Sequence, residues 1–464
     1  MSLTLSILFW ELELYCNSRR DRESVRRRNR KKFANLLRFV QQHSPYYARI
    51  MRERRLRPET ATPEDFPVMS KNDLIENFDE IVTSPEVSLS KVEAFLARSR
   101  NPGDLLDGRY VIVHSSGTSG RVCYCAYSKR EWIKGYTSFF RAIPVFGPIP
   151  RRTAFVGAVD GHFAAVSLAQ TLHWLKIGIF GRTRVFDVNL PWNEIVDGLN
   201  RMKPHNLSCY GSLLGELAAE QEKGTLNIQP RCITCGGDPL PASDRRTAER
   251  VFGRPVLDIY ATTETMILGI SEPKSQGMVL LEDDLWTEVQ PDRLLVTNLF
   301  NRTTPLIRYA IPDALRLASP KKYDFYRGYR RIQTLAGRNE DRLYLVNEAG
   351  NEDFIHPNAV VEFFVPGITA FQVIRTGQSE FVFRVKLEDG QNGHDPSSIE
   401  QETRAWWNAK LATKRMRNVR FDVEFVDQIK NDPQTRKFRL VSDHRSIPAP
   451  VSSDSLTAPQ FTTC

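Results

Sequence analysis

The sequence predicts an α/β protein, with a large N-terminal domain of mostly parallel sheets and helices followed by a small C-terminal α+β domain. Three observations carry this. Past residue 80, short β-branched or aromatic runs alternate with longer helical segments, which is the rhythm of strands joined by crossover helices. Beyond Asp313 the pattern turns β-rich, with one helical stretch. A chain of 464 residues, 41% hydrophobic and 26% charged, is long and apolar enough to bury more than one core.

Residues 1–80 read as a helical lead-in to the large domain. Ser44-Pro45 and Thr62-Pro63 break it, and Ser70 is placed to cap a helix over Lys71 to Phe78. Phe33, Leu36, Leu37 and Val40 recur at helical spacing. The formal charge of +9 is concentrated here: residues 18–57 hold fifteen Lys and Arg against three acids, so the remainder of the chain is slightly acidic. A basic excess confined to one helical segment reads as a solvated helix face rather than a nucleic-acid footprint; the sharper alternative is a docking patch for an anionic partner. Met1 to Trp10 is apolar, but it lacks a basic leader and runs into Glu11 and Glu13, so a helix packed on the core is expected, ahead of a monotopic membrane contact through Leu3 to Trp10. No stretch reaches membrane-spanning length. Seven cysteines spread over this length do not form a disulfide framework, and a reducing cytoplasm is expected.

In the large domain, residues 81–336, the expected strands are Tyr110 to His114, Thr153 to Val156, Arg184 to Phe186, Cys232 to Cys235 and Val256 to Ile259. The small domain, residues 337–446, follows with β-rich pieces at Arg342 to Val346, Phe371 to Arg375 and Glu380 to Leu387, and a helix around Ser398 to Thr413; Ile332 to Leu335 is a further strand just before it. Residues 447–464 are rich in Pro, Ser, Thr and Ala with little to bury, and are expected to be disordered.

Three segments concentrate chemistry at strand ends. Ser115-Ser116-Gly117-Thr118-Ser119-Gly120 follows the first strand; its glycines let backbone N–H groups approach phosphate oxygens, and its hydroxyls add donors without bulk. It is not a Walker loop, because no Lys follows Gly120. Gly236-Gly237-Asp238 ends a strand in a tight turn, where α/β folds build ligand crevices. Tyr260-Ala261-Thr262-Thr263-Glu264 ends the next. There the ring could stack on a base, Thr263 could bond phosphate and Glu264 could hold Mg²⁺ through oxygen. Alone, the first segment reads more readily as a flexible connection, and each of the other two as a polar strand end.

Together with Pro305-Leu306-Ile307-Arg308-Tyr309 before Asp313, Ala336-Gly337-Arg338-Asn339-Glu340-Asp341 and Thr435-Arg436-Lys437-Phe438-Arg439, these segments resemble, in order and spacing, the adenylate-forming superfamily of acyl-CoA synthetases, adenylation domains and luciferases. Ser44-Pro45-Tyr46-Tyr47 and Phe66-Pro67-Val68-Met69-Ser70-Lys71 make the phenylacetate-CoA ligase branch, with its CapK-like members, the most similar. The resemblance covers residues 30–445. It implies an AMP-forming ligase that activates a carboxylic acid with ATP and Mg²⁺ and passes the acyl group on, with a small C-terminal domain that moves between the two half-reactions. By the same resemblance Ser115 to Gly120 would cradle the β- and γ-phosphates, Gly236 to Asp238 would border adenine, Tyr260 would stack on it, Thr263 would touch the α-phosphate and Glu264 would bind Mg²⁺. Asp313 and Arg338 would hold the ribose, Glu340 would lie near the hinge, and Lys437 would bridge the carboxylate and the α-phosphate.

The chain departs from the pattern in places. Arg121-Val122-Cys123 follows the phosphate loop where members carry Pro and often Lys, Glu340 stands where Asp or Lys is usual, and Arg436 precedes the lysine in place of Gly. Asn351 to His356 lacks the glycine-rich character that accompanies CoA binding. The acceptor therefore stays open between the CoA thiol, a carrier-protein thiol and an amine, and a degenerate member that binds nucleotide without turnover is the rival class, against which Lys437 and Glu264 argue. Cys123, Cys125, Cys232 and Cys235 form C-x-C and C-x-x-C pairs; buried thiols are favoured over a tetrahedral zinc site. His162, Phe163, His173 and Trp174 are candidates for an acyl pocket, with a core histidine the plainer reading of His162.

Overall fold

The computed structural model describes residues 3–114, 122–140, 151–159, 161–174, 181–238, 240–271, 277–291, 293–313, 315–319, 326, 328–333, 342–355, 360, 363, 365, 367–387, 395–429 and 440–443. The chain divides into two compact units, one of residues 1–339 with 358–364, the other of residues 340–357 with 365–464.

The first unit opens with helices α1 (Leu3–Ser18), α2 (Arg22–His43), α3 (Pro45–Glu53), α4 (Lys71–Glu76), α5 (Phe78–Ile81) and α6 (Leu89–Arg98). The breaks lie where the prolines stand: Ser44 caps α3 with Pro45 in its first turn, and Ser70 caps α4, its hydroxyl accepting from Asp73 N at 3.1 Å while the Asp73 carboxylate accepts from Ser70 N at 2.7 Å. The α4 helix is shorter than expected, because Asn77 ends it before Phe78 begins α5. Helix α2 buries Val25, Asn29, Phe33, Leu36, Leu37 and Val40 on one face, and its outer face carries much of the basic run. Part of that charge is committed inward. Arg22 and Arg330 both bond Glu282, at 2.6 and 2.7 Å, and Lys32 reaches Asp284 at 2.6 Å.

Strands β1 (Tyr110–His114) and β2 (Tyr124–Ser128) form a hairpin, followed by α7 (Lys129–Phe140). Then β3 (Arg151–Gly157), α8 (Ala164–Trp174), β4 (Gly181–Asp187), α9 (Trp192–Met202), β5 (Asn206–Cys209), α10 (Gly211–Lys223), β6 (Cys232–Gly236), α11 (Ala242–Phe252) and β7 (Val256–Thr262) alternate in the rhythm that the sequence predicts, with β5 a strand beyond those expected. Strands β8 (Met266–Ser271), β9 (Gly277–Leu280), β10 (Leu285–Val289), β11 (Leu294–Asn298), β12 (Tyr309–Ile311), β13 (Leu317–Ala318) and β14 (Arg331–Gln333) complete the unit.

Among the described residues the main sheet has nine strands in the order β13-β14-β9-β8-β7-β6-β5-β3-β4. It is parallel from β4 to β7 and antiparallel from β7 outward, so the sheet is mixed where a mostly parallel one was expected. The change of direction has a local cause. Parallel neighbours need a crossover of a dozen or more residues, and the turn of residues 263–265 between β7 and β8 is too short for anything but a hairpin. Thr263 and Glu264 occupy that turn.

In the second unit, β15 (Leu343–Val346) pairs with β16 (Glu352–Ile355), while β17 (Ile368–Arg375) and β18 (Glu380–Leu387) form an antiparallel centre flanked in parallel by β20 (Val441–Asp443) and β19 (Arg420–Phe425). Helix α12 (Pro396–Thr413) covers this sheet, with the Trp407 ring 4.7 Å from Phe381 and 5.3 Å from Phe383.

Candidate active site

Pairing of β6 with β7 sets Gly236 opposite Ile259, so the Gly236-Gly237-Asp238 turn and the Tyr260 to Glu264 segment emerge side by side at the carboxyl ends of parallel strands. That edge, where the sheet changes direction, is where open α/β sheets form ligand crevices. Gly236 has no room for a side chain, since a Cβ there would sit 2.6 Å from the Ile259 carbonyl oxygen; Gly237 has φ of +87°, a region that glycine enters without strain. Asp238 is turned to a structural partner: its carboxylate accepts from the Ser212 hydroxyl and from Ser212 N at 3.1 Å, holding the first turn of α10.

Two tyrosine–carboxylate pairs lie at this edge. The Tyr260 hydroxyl donates to Asp313 Oδ2 at 2.7 Å, which brings the residue proposed for the base and the one proposed for the sugar into contact. Burial, and after it the Asp313 carboxylate, holds the Tyr260 phenol far above its ordinary range, so it stays a donor. The Tyr309 hydroxyl donates to Glu264 Oε1 at 3.0 Å, and burial followed by Glu264 raises that phenol in the same way. Glu264 is 8% exposed. The backbone of its turn is held from behind: Tyr127 on β2 donates its hydroxyl to the carbonyls of Thr263 and Glu264, both at 3.0 Å, and Asn298 Nδ2 reaches the Glu264 carbonyl at 3.4 Å. Within the turn, the Thr262 and Thr265 hydroxyls lie 2.8 Å apart.

The structure therefore brings together Gly236, Gly237, Asp238, Tyr260, Thr263, Glu264 and Asp313. Ser115 to Gly120, Arg338 and Lys437 lie outside the described residues; β1 and β2 place His114 opposite Tyr124 at the two sides of the first of these segments. Cys123, Cys125, Cys232 and Cys235 are buried thiols that form no disulfide, and Cys123 and Cys125 belong to the core beneath the site. Among the described residues no group of three His, Cys, Asp or Glu gathers in a way that could hold a metal ion. His162 is 1% exposed, its Nε2 lies 3.1 Å from the Ser99 carbonyl oxygen and its ring packs edge-on against Phe95 at 5.0 Å; burial pulls its pKa down, so it is a core histidine. Phe163 packs on His114 with ring centres 4.5 Å apart, and the side chains of His173 and Trp174 lie outside what is described.

No family model matches the chain. Over 423 residues it is 21% identical to protein CapK of Staphylococcus aureus, a match spanning 88% of this chain and 86% of CapK. It is 23% identical over 254 residues to phenylacetate-coenzyme A ligase of Escherichia coli (strain K12), spanning 50% of this chain and 55% of that protein. The crystal structure of 2-hydroxyisobutyryl-CoA ligase in complex with 2-HIB-AMP and CoA, in its thioesterification state, superposes with a TM-score of 0.57 at 19% identity, covering 91% of this chain and 89% of that one. The chain is a homologue of CapK and the phenylacetate-coenzyme A ligases, with the fold of adenylate-forming ligases.

Within that fold, three residues that bond the Thr263–Glu264 turn were not singled out by the sequence: Tyr127, Tyr309 and Asn298. Tyr309 closes the Pro305 to Tyr309 segment, where the resemblance gives it no role, and its signal was its place next to Arg308. Arg308 itself is structural. With φ of +57° it extends its guanidinium to Glu288 at 3.0 Å and to the Phe66 carbonyl at 3.0 Å, fastening β12 to the loop before α4. Tyr127 and Asn298 sit in buried strands, where nothing in the sequence distinguishes them from packing residues.

Proposed function

We propose that this chain activates a carboxylic acid with ATP as an acyl-adenylate, releasing pyrophosphate, and then transfers the acyl group to the thiol of coenzyme A. The observation that carries the proposal is the convergence of the Tyr260–Asp313 and Tyr309–Glu264 pairs on the edge where the sheet changes direction, in a fold whose relatives are acid–CoA ligases. Coenzyme A is favoured over an amine or a carrier protein because the compared ligases are named for CoA thioesters.

In this reading Tyr260 stacks on adenine, Asp313 and Arg338 hold the ribose hydroxyls, Gly236 and Gly237 border the base, and Asp238 keeps that turn in shape. Ser115 to Gly120 receive the β- and γ-phosphates, and Thr263 the α-phosphate. Glu264 fits a magnesium ion by its chemistry, a hard carboxylate beside hydroxyls, with the other positions left to phosphate oxygens and water. Mg²⁺ bound there would supply charge that offsets the triphosphate. A carboxylate oxygen then attacks the α-phosphorus and pyrophosphate leaves. Two anions approach each other in that step, and Lys437 supplies the ammonium that lowers their repulsion. In the second step the thiol sulfur attacks the acyl carbon and AMP departs. The smaller unit moves between these steps, so that Lys437 serves the first and withdraws for the second. The reaction belongs in the cytoplasm, where ATP and CoA are available.

The test is ATP–pyrophosphate exchange across a panel of aryl, fatty and amino acids, followed by CoA and amine acceptors for each acid that responds. Exchange with at least one acid, and thioester formation on adding CoA, is the expected result. Absence of exchange with every acid, while ATP still binds, would overturn the assignment in favour of a nucleotide-binding protein without turnover.

A further inference from the structure

Helix α1 is apolar on almost every side: of its residues only Glu11 and Glu13 carry charge, and neither is exposed. One side packs inward through Trp10 and Leu14, while Glu13 bonds Arg28 of α2 at 2.6 Å and Lys134 of α7 at 3.1 Å. The opposite side is bare. Phe9, Leu12 and Tyr15 are 57%, 61% and 49% exposed, three of the six large apolar side chains that the described residues leave open to solvent, gathered within seven positions. Large apolar side chains clustered in this way on a surface mark a contact, unlike single exposed ones.

What surrounds these three side chains identifies the contact. Arg19 and Arg20, both exposed, follow the helix directly, and Arg19 lies over the Tyr15 ring at 4.6 Å. Arg28 and Lys32 both meet Glu13, at 2.6 and 3.3 Å, so this stretch of α2 reaches α1 through its basic side chains. Arg27 and Lys31, each one position before these two on α2, are exposed. Arg27 shares a loose 3.4 Å pair with Glu23, so the acids nearby lower the positive charge without cancelling it.

We propose that the outer face of α1, with the flanking basic side chains of α2, is a docking surface for an anionic lipid bilayer. Phe9, Leu12 and Tyr15 would enter the headgroup boundary while Arg19, Arg20, Arg27 and Lys31 meet lipid phosphates, an arrangement that lays the helix in the membrane plane without spanning it. Among the described residues no helix is long and apolar enough to cross a membrane. A second copy of the chain fits this face less well, since a twofold contact would bring the same four cations against one another. The surface is reversible by nature: three apolar side chains hold weakly, and each basic group near an anionic surface adds roughly a fivefold factor in partitioning.

The experiment is co-sedimentation of the full chain with phosphatidylcholine vesicles and with phosphatidylcholine–phosphatidylglycerol vesicles, at low and high salt, alongside sedimentation velocity without lipid. Binding to the anionic vesicles alone, reversed by high salt, is expected. A Phe9→Asp/Leu12→Asp double variant, unchanged in circular dichroism, should bind about tenfold less, and Arg27→Glu/Lys31→Glu should lose the preference for anionic lipid. Equal recovery with and without vesicles, undiminished binding by the Phe9→Asp/Leu12→Asp variant, or a wild-type dimer that this variant dissolves would each overturn the proposal.

Discussion

Glu264 reaches its place through a tyrosine on a strand far along the chain, and the Tyr309 hydroxyl at 3.0 Å fixes which way its carboxylate points. Tyr309→Phe removes one hydrogen bond to a charged group and nothing from the core, since the ring remains. The expected effect is a rise of about tenfold in the Mg²⁺ concentration that half-saturates pyrophosphate exchange, with a smaller change in maximal rate. An unaltered Mg²⁺ dependence would remove Tyr309 from the site. Asp258, on the same strand as Tyr260, offers a second residue-scale test. Burial raises its carboxyl to about 6, against the opposing pull of Arg245 at 3.3 Å. A carboxyl raised in the folded state contributes stability that is fully present below its unfolded pKa of about 3.9 and is lost as pH rises through the folded value. Asp258→Asn should therefore match the wild type in urea denaturation at about pH 4 and exceed it by roughly 2 kcal/mol at neutral pH. A difference that stays constant with pH would show that burial does not govern this group.

At the scale of elements, the N-terminal helices are held to the sheet by charge as well as by packing. Glu13 of α1, Lys32 of α2, Lys134 of α7 and Asp284, which precedes β10, make one partly buried cluster, with Lys32–Asp284 at 2.6 Å and Lys134–Asp284 at 3.1 Å. Burial works to raise the Asp284 carboxyl, and Lys32 and Lys134 overcome it, holding it well below the usual carboxylate range. Its contribution is present above the unfolded value near 4 and fades only in stronger acid. Lys32→Met leaves buried carboxylates short of a partner and should cost about 3 kcal/mol in urea denaturation, part of it recovered on adding Asp284→Asn. Strict additivity of the two would mean that the pair is not coupled. These elements also show what sequence reading can and cannot reach. The βα alternation, the Ser70 cap and the Ser44-Pro45 break were legible because each depends on neighbours in the chain. Strand β8 was not, because all six of its residues are buried and it shows no alternation to read. Nor was the mixed character of the sheet, which depends on the length of one turn.

Across the whole molecule, the proposed labour falls in two parts. The residues that would hold nucleotide, Tyr260, Thr263, Glu264 and Asp313, lie in the first unit, and Lys437 belongs to the second. The sequence singles out Tyr260, Thr263 and Glu264 because they end or follow a strand in a segment of unusual composition, and Asp313 only through the family resemblance. It did not disclose the Tyr260–Asp313 and Tyr309–Glu264 pairings, which join positions 53 and 45 residues apart. The division makes a kinetic prediction. Adenylation brings a carboxylate against a phosphate and needs the ammonium, whereas thioester formation starts from an acyl-adenylate whose acyl group carries no charge. Lys437→Ala should therefore slow pyrophosphate exchange by about two to three decades. ATP affinity by equilibrium dialysis, and CoA thioester formation from a supplied acyl-adenylate, should remain close to those of the wild type. Loss of all three together would mean that Lys437 supports the fold or the nucleotide site as a whole, and undiminished exchange would mean that the charge meeting the two anions comes from another residue.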